Sequence, residues 1–358
     1  MRAPTKIVIL GASYGSLLGM KLLLAGHTVK LVCLPAEAEL INAEGFRVRI
    51  PVRGQKELVE VDSGKLSGKL SAGGPDSVEP GEHDLVVLAM QEPQYRADAL
   101  RALLQKVAKA RVPCMSIMNM PPLPYLARIP GFDSKAARHC YADPTVWDVF
   151  DPTCMTLCSP DPQAFRPPEE KVNVLQVSLP TNFKAARFVS DQHTALLRAL
   201  AEDIEAARFT TPGGPVALPV KLKVHDSVFV PLAKWSMLLT GNYRCVQEEG
   251  MRAIRDAVHT DVVASRAVYE WVGQVCRAHG ATDADLVPFD KYAAAAEGLA
   301  KPSSAARALA AGAPNIERVD RLVQAAAAQK DMRSDMVDAI VRVVDSWVER
   351  NRRKAAVA

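Results

Sequence analysis

From Lys6 to Val32 the chain changes hydrophobic period twice. Ile7-Val8-Ile9-Leu10 is an uninterrupted apolar run of strand length, residues 14–25 form an apolar run of helical length, and Thr28-Val29-Lys30-Leu31-Val32 is strand-like again. This is a βαβ unit. Strands that are apolar without alternation belong to a parallel sheet covered by helices on both faces. Further strands are expected at 84–89, entered from a Gly/Pro-rich loop over 73–81, at 113–118 and at 174–179. A helix is expected over 94–110, and a long irregular section rich in Pro and Asp over 121–168. After a helix over 191–207 comes the breaker cluster Thr210-Thr211-Pro212-Gly213-Gly214-Pro215, which is expected near a domain boundary. Beyond it no strand is expected. The period is helical from 224 to 357, and the Ala-rich stretches 293–313 and 325–328 read as helix formers. The pattern therefore predicts an α/β domain with a parallel sheet over residues 1–218 and an all-α domain over 219–358.

Composition narrows the class. With 358 residues, 49% of them hydrophobic and 23% charged, the chain can build two cores, which excludes disordered and fibrous classes. A net charge of +4 is too balanced for a nucleic-acid footprint, and the basic run Arg350-Asn351-Arg352-Arg353-Lys354 reads as a solvated helix end. The most apolar segment, 227–243, carries Pro231 and Lys234 and is a poor match to the roughly 20 apolar residues of a bilayer span. The apolar run before Gly11 is too short for a signal peptide, so a cytoplasmic protein with no membrane partner is expected. The seven cysteines are odd in number and lack any C-x-x-C spacing, which predicts buried thiols in a reducing compartment and no metal site.

Candidate chemistry begins at the turn after the first strand, Gly11-Ala12-Ser13-Tyr14-Gly15-Ser16-Leu17-Leu18-Gly19. In a dinucleotide-binding turn, glycines permit a tight bend and let backbone N–H groups approach a pyrophosphate at a helix N-terminus. Here G-x-G-x-x-G is altered: in register from Gly11 it reads Gly-x-Ser-x-x-Ser, and read to Gly15 it is one residue short. The strand–turn–helix context is the stronger part of the signal. Gly15 and Gly19 share a helical face and also suit close helix–sheet packing. In such domains an acidic residue at the end of the second strand reads the NAD ribose, and an Arg accommodates the 2′-phosphate of NADP. Val32-Cys33-Leu34-Pro35 offers neither, and Glu37 and Glu39 fall on the next helix, where a solvated face accounts for them equally well.

Lys234 is the sole charge in 227–243. Burying an unpaired ammonium is costly, so this lysine snorkels outward, pairs internally or faces a water-filled cleft. Asn242 shares its helical face at i+8, with Leu238 between them. A Lys and an Asn side by side make a donor pair suited to an oxyanion or carboxylate.

These elements in this order, a βαβ start, a strand ending near Asn119 and a lysine-bearing helix opening a helical second half, resemble the ketopantoate reductase (2-dehydropantoate 2-reductase) family over most of the chain. Gly26-His27-Thr28-Val29 is similar to the family's A-G-H-x-V entry to strand two, and Asp84-Leu85-Val86-Val87-Leu88-Ala89 to its D-L-V-L-x-x strand. By this resemblance the general-acid lysine is Lys234. The second of two asparagines spaced four apart after it is Asn242, while the first falls on Leu238. The Q-N-G turn, whose Asn bridges cofactor and substrate, corresponds to Met118-Asn119-Met120. Ser303-Ser304 and Gly312-Ala313-Pro314-Asn315-Ile316-Glu317 resemble the S-S-M and G-R-P-T-E-I-D segments. They imply Ser304 and Glu317 as substrate-binding residues, with the carboxylate either displaced by one place to Glu317 or lost. Glu317 and Asp320, three apart, also suit a solvated helical face. The family's NADP-selecting Arg falls at Leu34, and its lysine after the fourth strand at Gln91.

The resemblance implies a divergent member with a Rossmann-type first domain and an active site in the cleft between the two domains. Its cofactor, NADP or NAD with NADP favoured, would meet Gly11, Ala12, Ser13, Tyr14, Gly15, Leu34, Gln91 and Asn119. The substrate would be a small carbonyl compound, a 2-oxo acid other than ketopantoate, with Lys234 as proton donor and Asn119, Asn242, Ser304 and Glu317 binding it. A helical second domain leaves room for a homodimer. Two alternatives stand beside this reading. One is an opine-dehydrogenase-like imine reductase using His225-Asp226; the other is a non-catalytic nucleotide sensor.

Overall fold

The structure, a computed structural model, describes residues 3–357. Two compact units make up the chain. The first comprises the residues up to Met90, Tyr95–Met118 and Val149–Asp226; the second comprises Gln91–Gln94, Asn119–Asp148 and Ser227–Ala358.

The first unit is built on eight strands: β1 (Lys6–Leu10), β2 (Thr28–Val32), β3 (Lys69–Gly73), β4 (Leu85–Leu88), β5 (Cys114–Ile117), β6 (Met155–Ser159), β7 (Phe183–Ala186) and β8 (Leu222–His225). Their order in the sheet is β8-β7-β6-β5-β4-β1-β2-β3. From β3 to β6 every pairing is parallel, with Ile7 opposite Val29 on one side and Leu85 on the other. That order, 3-2-1-4-5-6, is the doubly wound arrangement of dinucleotide-binding domains. β7 runs antiparallel to β6, and β8 runs parallel to β7. The apolar runs read from sequence become strands because both faces are covered. Ile7, Ile9, Val29, Leu31, Val87 and Met115 are buried in one core with residues of α1 (Ala12–Leu24), α2 (Pro35–Glu44) and α3 (Asp191–Ala206), and Val8, Leu10, Val86 and Leu88 on the opposite face are buried as well.

Three expectations for this unit need correction. Val174–Leu179 is a strand but not part of the main sheet; it joins Arg47–Ile50, Val59–Asp62 and Gln163–Phe165 in a separate four-stranded sheet. The breaker cluster is the tip of a hairpin between Phe209–Thr211 and Gly214–Val216. A strand does follow it, because β8 pairs along β7, and the first unit accordingly runs on to Asp226. The "irregular" 121–168 section contains β6 and Gln163–Phe165, and its aspartates cap short turns: the carboxylates of Asp143 and Asp151 accept the N–H groups of Thr145 and Thr153. Lys21, a charge inside the apolar α1, is buried and donates to the carbonyls of Leu218 (2.8 Å) and Pro219 (3.2 Å); burial pushes its pKa down to about 8.

The second unit is helical, with long helices over Val262–Ala278, Val319–Ala328 and Asp335–Val357. The Ala-rich stretch 293–313 is not one helix: Phe289–Ala296 ends ahead of Gly298 and Pro302, and Ser304–Ala310 starts afresh with Ser303 as its N-cap. Arg318 bridges Asp320 (2.7 Å) and Asp345 (2.6 Å) inside this core. The cysteines are all free thiols, and every one except the half-buried Cys33 is buried. Among the described residues no helix is long and apolar enough to cross a membrane, and no group of three or more metal-ligating side chains is present.

Candidate active site

In the first unit β1 ends at Leu10 and α1 begins at Ala12, so Gly11 alone makes the turn. Its φ of 102° is closed to most L side chains, and a Cβ there would lie 2.8 Å from the Ala89 carbonyl oxygen. Gly11 offers no side-chain cap, which leaves the free N–H groups of the first turn, Ala12 to Tyr14, to an external anion. A pyrophosphate fits this cradle. The other members of the motif do different work. A Cβ on Gly15 would come within 2.7 Å of Ile9 Cγ2, so Gly15 serves close helix–sheet packing, whereas Gly19 has only ordinary contacts. Tyr14 is turned away: its hydroxyl donates to the Pro162 carbonyl, and its ring meets Phe183 edge-on at 6.5 Å. Burial raises its phenol pKa well above the usual value.

At the end of β2, Leu34 is the N-cap residue of α2 and is 74% exposed. Glu37, in the first turn of α2, is not a solvated charge; its carboxylate accepts from the guanidinium of Arg166. Glu39 is exposed, as a solvated helical position should be. Beside the pair, the Cys33 thiol is pushed up to about 11, first by burial and then by Glu37, with Arg166 opposing. No pattern in the sequence points to Arg166, which lies 129 residues from Glu37.

In the second unit, two segments converge on Glu317. Its Oε1 accepts the N–H groups of Glu92 (3.3 Å) and Met120 (3.4 Å), and its Oε2 accepts Asn119 Nδ2 (3.2 Å). Asn119 Oδ1 is buried and has no partner among the described residues. Glu317 and Asp320 are both buried, so the solvated-face alternative for them is excluded. Burial raises the Glu317 pKa despite these hydrogen bonds. Glu92, which the sequence did not single out, is buried as well; both its oxygens accept the Ala142 N–H at 3.2 Å, and burial pushes its pKa up to about 7. Gln91, one residue earlier, is exposed, and its N–H is taken by Gln94 Oε1.

The lysine-bearing segment is one winding stretch of changing pitch: a 3₁₀ turn over Val230–Ala233, α over Lys234–Met237, a wide π turn over Leu238–Asn242 and 3₁₀ again over Tyr243–Cys245. Lys234 and Asn242 are half-buried; Leu238 is buried. Tyr243 ties this segment to the Glu317 cluster, since its hydroxyl donates to the Glu317 carbonyl (2.5 Å) and accepts the Val319 N–H (2.9 Å). The serine that reaches this segment is Ser303, donating to the Asn242 carbonyl at 2.8 Å; Ser304 is exposed on the first turn of its helix. A Ser at the start of a helical run favours the N-cap, and that signal could have selected Ser303. Asp226 pairs with Arg198 at 2.7 Å on the surface.

No family model and no curated protein matches this sequence. The fold does have known counterparts: it is that of the ketopantoate reductases. A 2-dehydropantoate 2-reductase from Methylococcus capsulatus matches with a TM-score of 0.66 at 14% identity, covering 97% of each chain. A D-mandelate dehydrogenase holding NADH and anilino(oxo)acetate matches at 0.62 and 14%, over 97% of this chain and 100% of that one. A dimeric ketopantoate reductase from Staphylococcus aureus matches at 0.59 and 10%, over 97% and 99%.

Proposed function

We propose that this chain is an NAD(P)-dependent reductase of a 2-oxo acid or a related carbonyl compound. The observation that carries the proposal is the hydrogen-bonded Asn119–Glu317 pair, tied through Tyr243 to the helix that bears Lys234 and Asn242. A nicotinamide cofactor, when bound, supplies the hydride. The first unit contributes the cradle at Gly11 and the open turn of α1. Lys234 Nζ donates the proton to the carbonyl oxygen as negative charge develops there. The Asn242 amide positions the substrate's polar groups, Asn119 Oδ1 accepts a donor from cofactor or substrate, and Glu317 orients Asn119. Ser304 contributes at the rim, and Ser303 fixes the backbone of Asn242.

A bulkier, less polar substrate than ketopantoate is favoured, because the first of the family's two asparagines is replaced by the buried Leu238. The D-mandelate dehydrogenase of the same fold holds NADH and anilino(oxo)acetate, in keeping with this reading. On cofactor choice, Glu37 suits ribose hydroxyls and Arg166 suits a 2′-phosphate, so both NAD and NADP are accepted. A homodimer is proposed from the dimeric counterpart; light scattering in solution tests it. The function itself is tested by screening 2-oxo acids, aryl-substituted ones included, with NADH and NADPH, and then assaying Lys234→Ala on the best substrate. Dinucleotide binding with no turnover of any carbonyl would favour the sensor alternative.

A further inference from the structure

A regular α-helix puts positions eight apart about 80° apart around its axis, too far for two side chains to act on one small group. Lys234 and Asn242 stand in that relation. Between them, however, the helix widens: the Tyr243 N–H donates to the Leu238 carbonyl, five residues back. Each residue of a wide turn advances less around the axis than in an α-helix, which swings Asn242 back toward the azimuth of Lys234.

A group inserted against the helical ladder is one cause of such local distortion. The inserted group here is Tyr292, from the helix Phe289–Ala296. Its hydroxyl donates to the Met237 carbonyl (3.1 Å) at the entry to the wide turn. The same hydroxyl sits against Gly241, where any Cβ would overlap it and would also come within 3.0 Å of Ile254 Cγ2. Tyr292 stacks on Tyr269 with ring centroids 5.4 Å apart, which fixes its ring. At the far end, the carbonyls of Gly241 and Asn242 accept Cys245 Sγ (3.3 Å) and Ser303 Oγ (2.8 Å). The wide turn is thus held by side chains from outside its own ladder, with Tyr292 at its centre.

We propose that Tyr292 is a positioning residue: its hydroxyl, bonded to the Met237 carbonyl and seated against Gly241, holds the wide turn that orients Asn242 beside Lys234. This rests on the reductase reading above for what Asn242 does, but not for the turn itself. Tyr292→Phe removes the hydroxyl and keeps the ring. Two outcomes are expected in the full-length protein. Exchange of the Tyr243 amide hydrogen, which closes the wide turn, accelerates at least about tenfold. The substrate KM rises about tenfold while kcat changes less than about twofold and cofactor affinity is unchanged. Gly241→Ala, which displaces the hydroxyl sterically, raises KM in the same way. In an Asn242→Ala background, Tyr292→Phe adds nothing to KM. Unchanged Tyr243 exchange in Tyr292→Phe overturns the proposal, as does additivity of Tyr292→Phe with Asn242→Ala. Full turnover by Lys234→Ala would instead sink the reductase reading, and the exchange measurement would still decide the turn.

Discussion

The turn at Gly11 and the cluster around Glu317 both belong to the proposed site, yet they are built in opposite ways. The turn is local: one residue between β1 and α1, whose φ of 102° and closeness to Ala89 require glycine whatever happens elsewhere. The cluster is assembled from Glu92, Asn119–Met120 and Glu317, up to 225 residues apart, and every member is buried except the half-buried Asn119. A buried polar cluster tolerates little, because each carboxylate or amide left without its partner incurs a desolvation penalty. Truncations that strand a buried partner in the cluster should therefore cost stability as well as activity, and mutation of Lys234 should cost activity alone.

The largest effect expected is at Lys234. Lys234→Ala should lower kcat by about 10²–10⁴, the usual contribution of a positioned general acid, with cofactor affinity and Tm nearly unchanged. A loss below about fivefold on the best substrate means that Lys234 is not the proton donor.

Next comes Glu317, where the contrast with Lys234 is sharpest. Glu317→Ala strands three donors, the N–H groups of Glu92 and Met120 and Asn119 Nδ2. The expected loss is about 3 kcal/mol in denaturant unfolding, together with a raised substrate KM. Glu317→Gln should recover most of the stability. Its oxygen still serves the two backbone donors, and the Asn119 amide can flip to present its otherwise unpartnered oxygen to the new NH₂. If Ala and Gln destabilise equally, the hydrogen bonds to Glu317 are not what holds these segments.

Glu92 supplies a pH test of the same cluster. Burial holds its folded pKa at about 7, above the ordinary value of 4.5. The folded state therefore binds the extra proton between those values, and this contribution is fully present below about pH 4.5 and lost as pH rises through 7. The charged and titratable groups facing it are Glu317, Asp143 and Tyr141. Glu92→Gln should be more stable than the parent by about 2 kcal/mol at pH 8, with the difference shrinking toward pH 5. A difference that does not depend on pH would show that Glu92 is ionised throughout.

Legibility in the sequence follows the same division. The βαβ start was readable because period, turn and helix lie within Lys6–Val32, and the later strands 84–89 and 113–118 because buried parallel strands are apolar throughout. β8 and the hairpin before it carry no such signal, since Leu222–His225 is an edge strand with half-buried Lys223 and His225 and no apolar run to announce it. Lys234 stood out as a lone charge in an apolar segment. Glu92 and Tyr292 carry no such mark, because the first is buried by loops remote in sequence and the second against Met237, Gly241 and Tyr269. Family resemblance, not spacing, brought in Asn119 and Glu317, and only the fold brings the two into hydrogen-bonding contact.

The smallest predicted effect, and the finest test of the local site, lies at the end of β2. Glu37 and Arg166 form one ion pair, so each cofactor would compete with it: NAD's ribose hydroxyls for the carboxylate, NADP's 2′-phosphate for the guanidinium. Neither partner is free to favour its cofactor fully, which compresses the preference between them to about tenfold. Arg166→Ala should release Glu37 and shift the kcat/KM ratio toward NAD by about tenfold. Glu37→Gln should shift it toward NADP by a similar factor, since the guanidinium is then unopposed. Cofactor titrations followed by nicotinamide fluorescence measure both shifts. A parent preference above about a thousandfold, or two variants that move the ratio the same way, would place the ribose reader elsewhere, with Gln91 after β4 the next position to test.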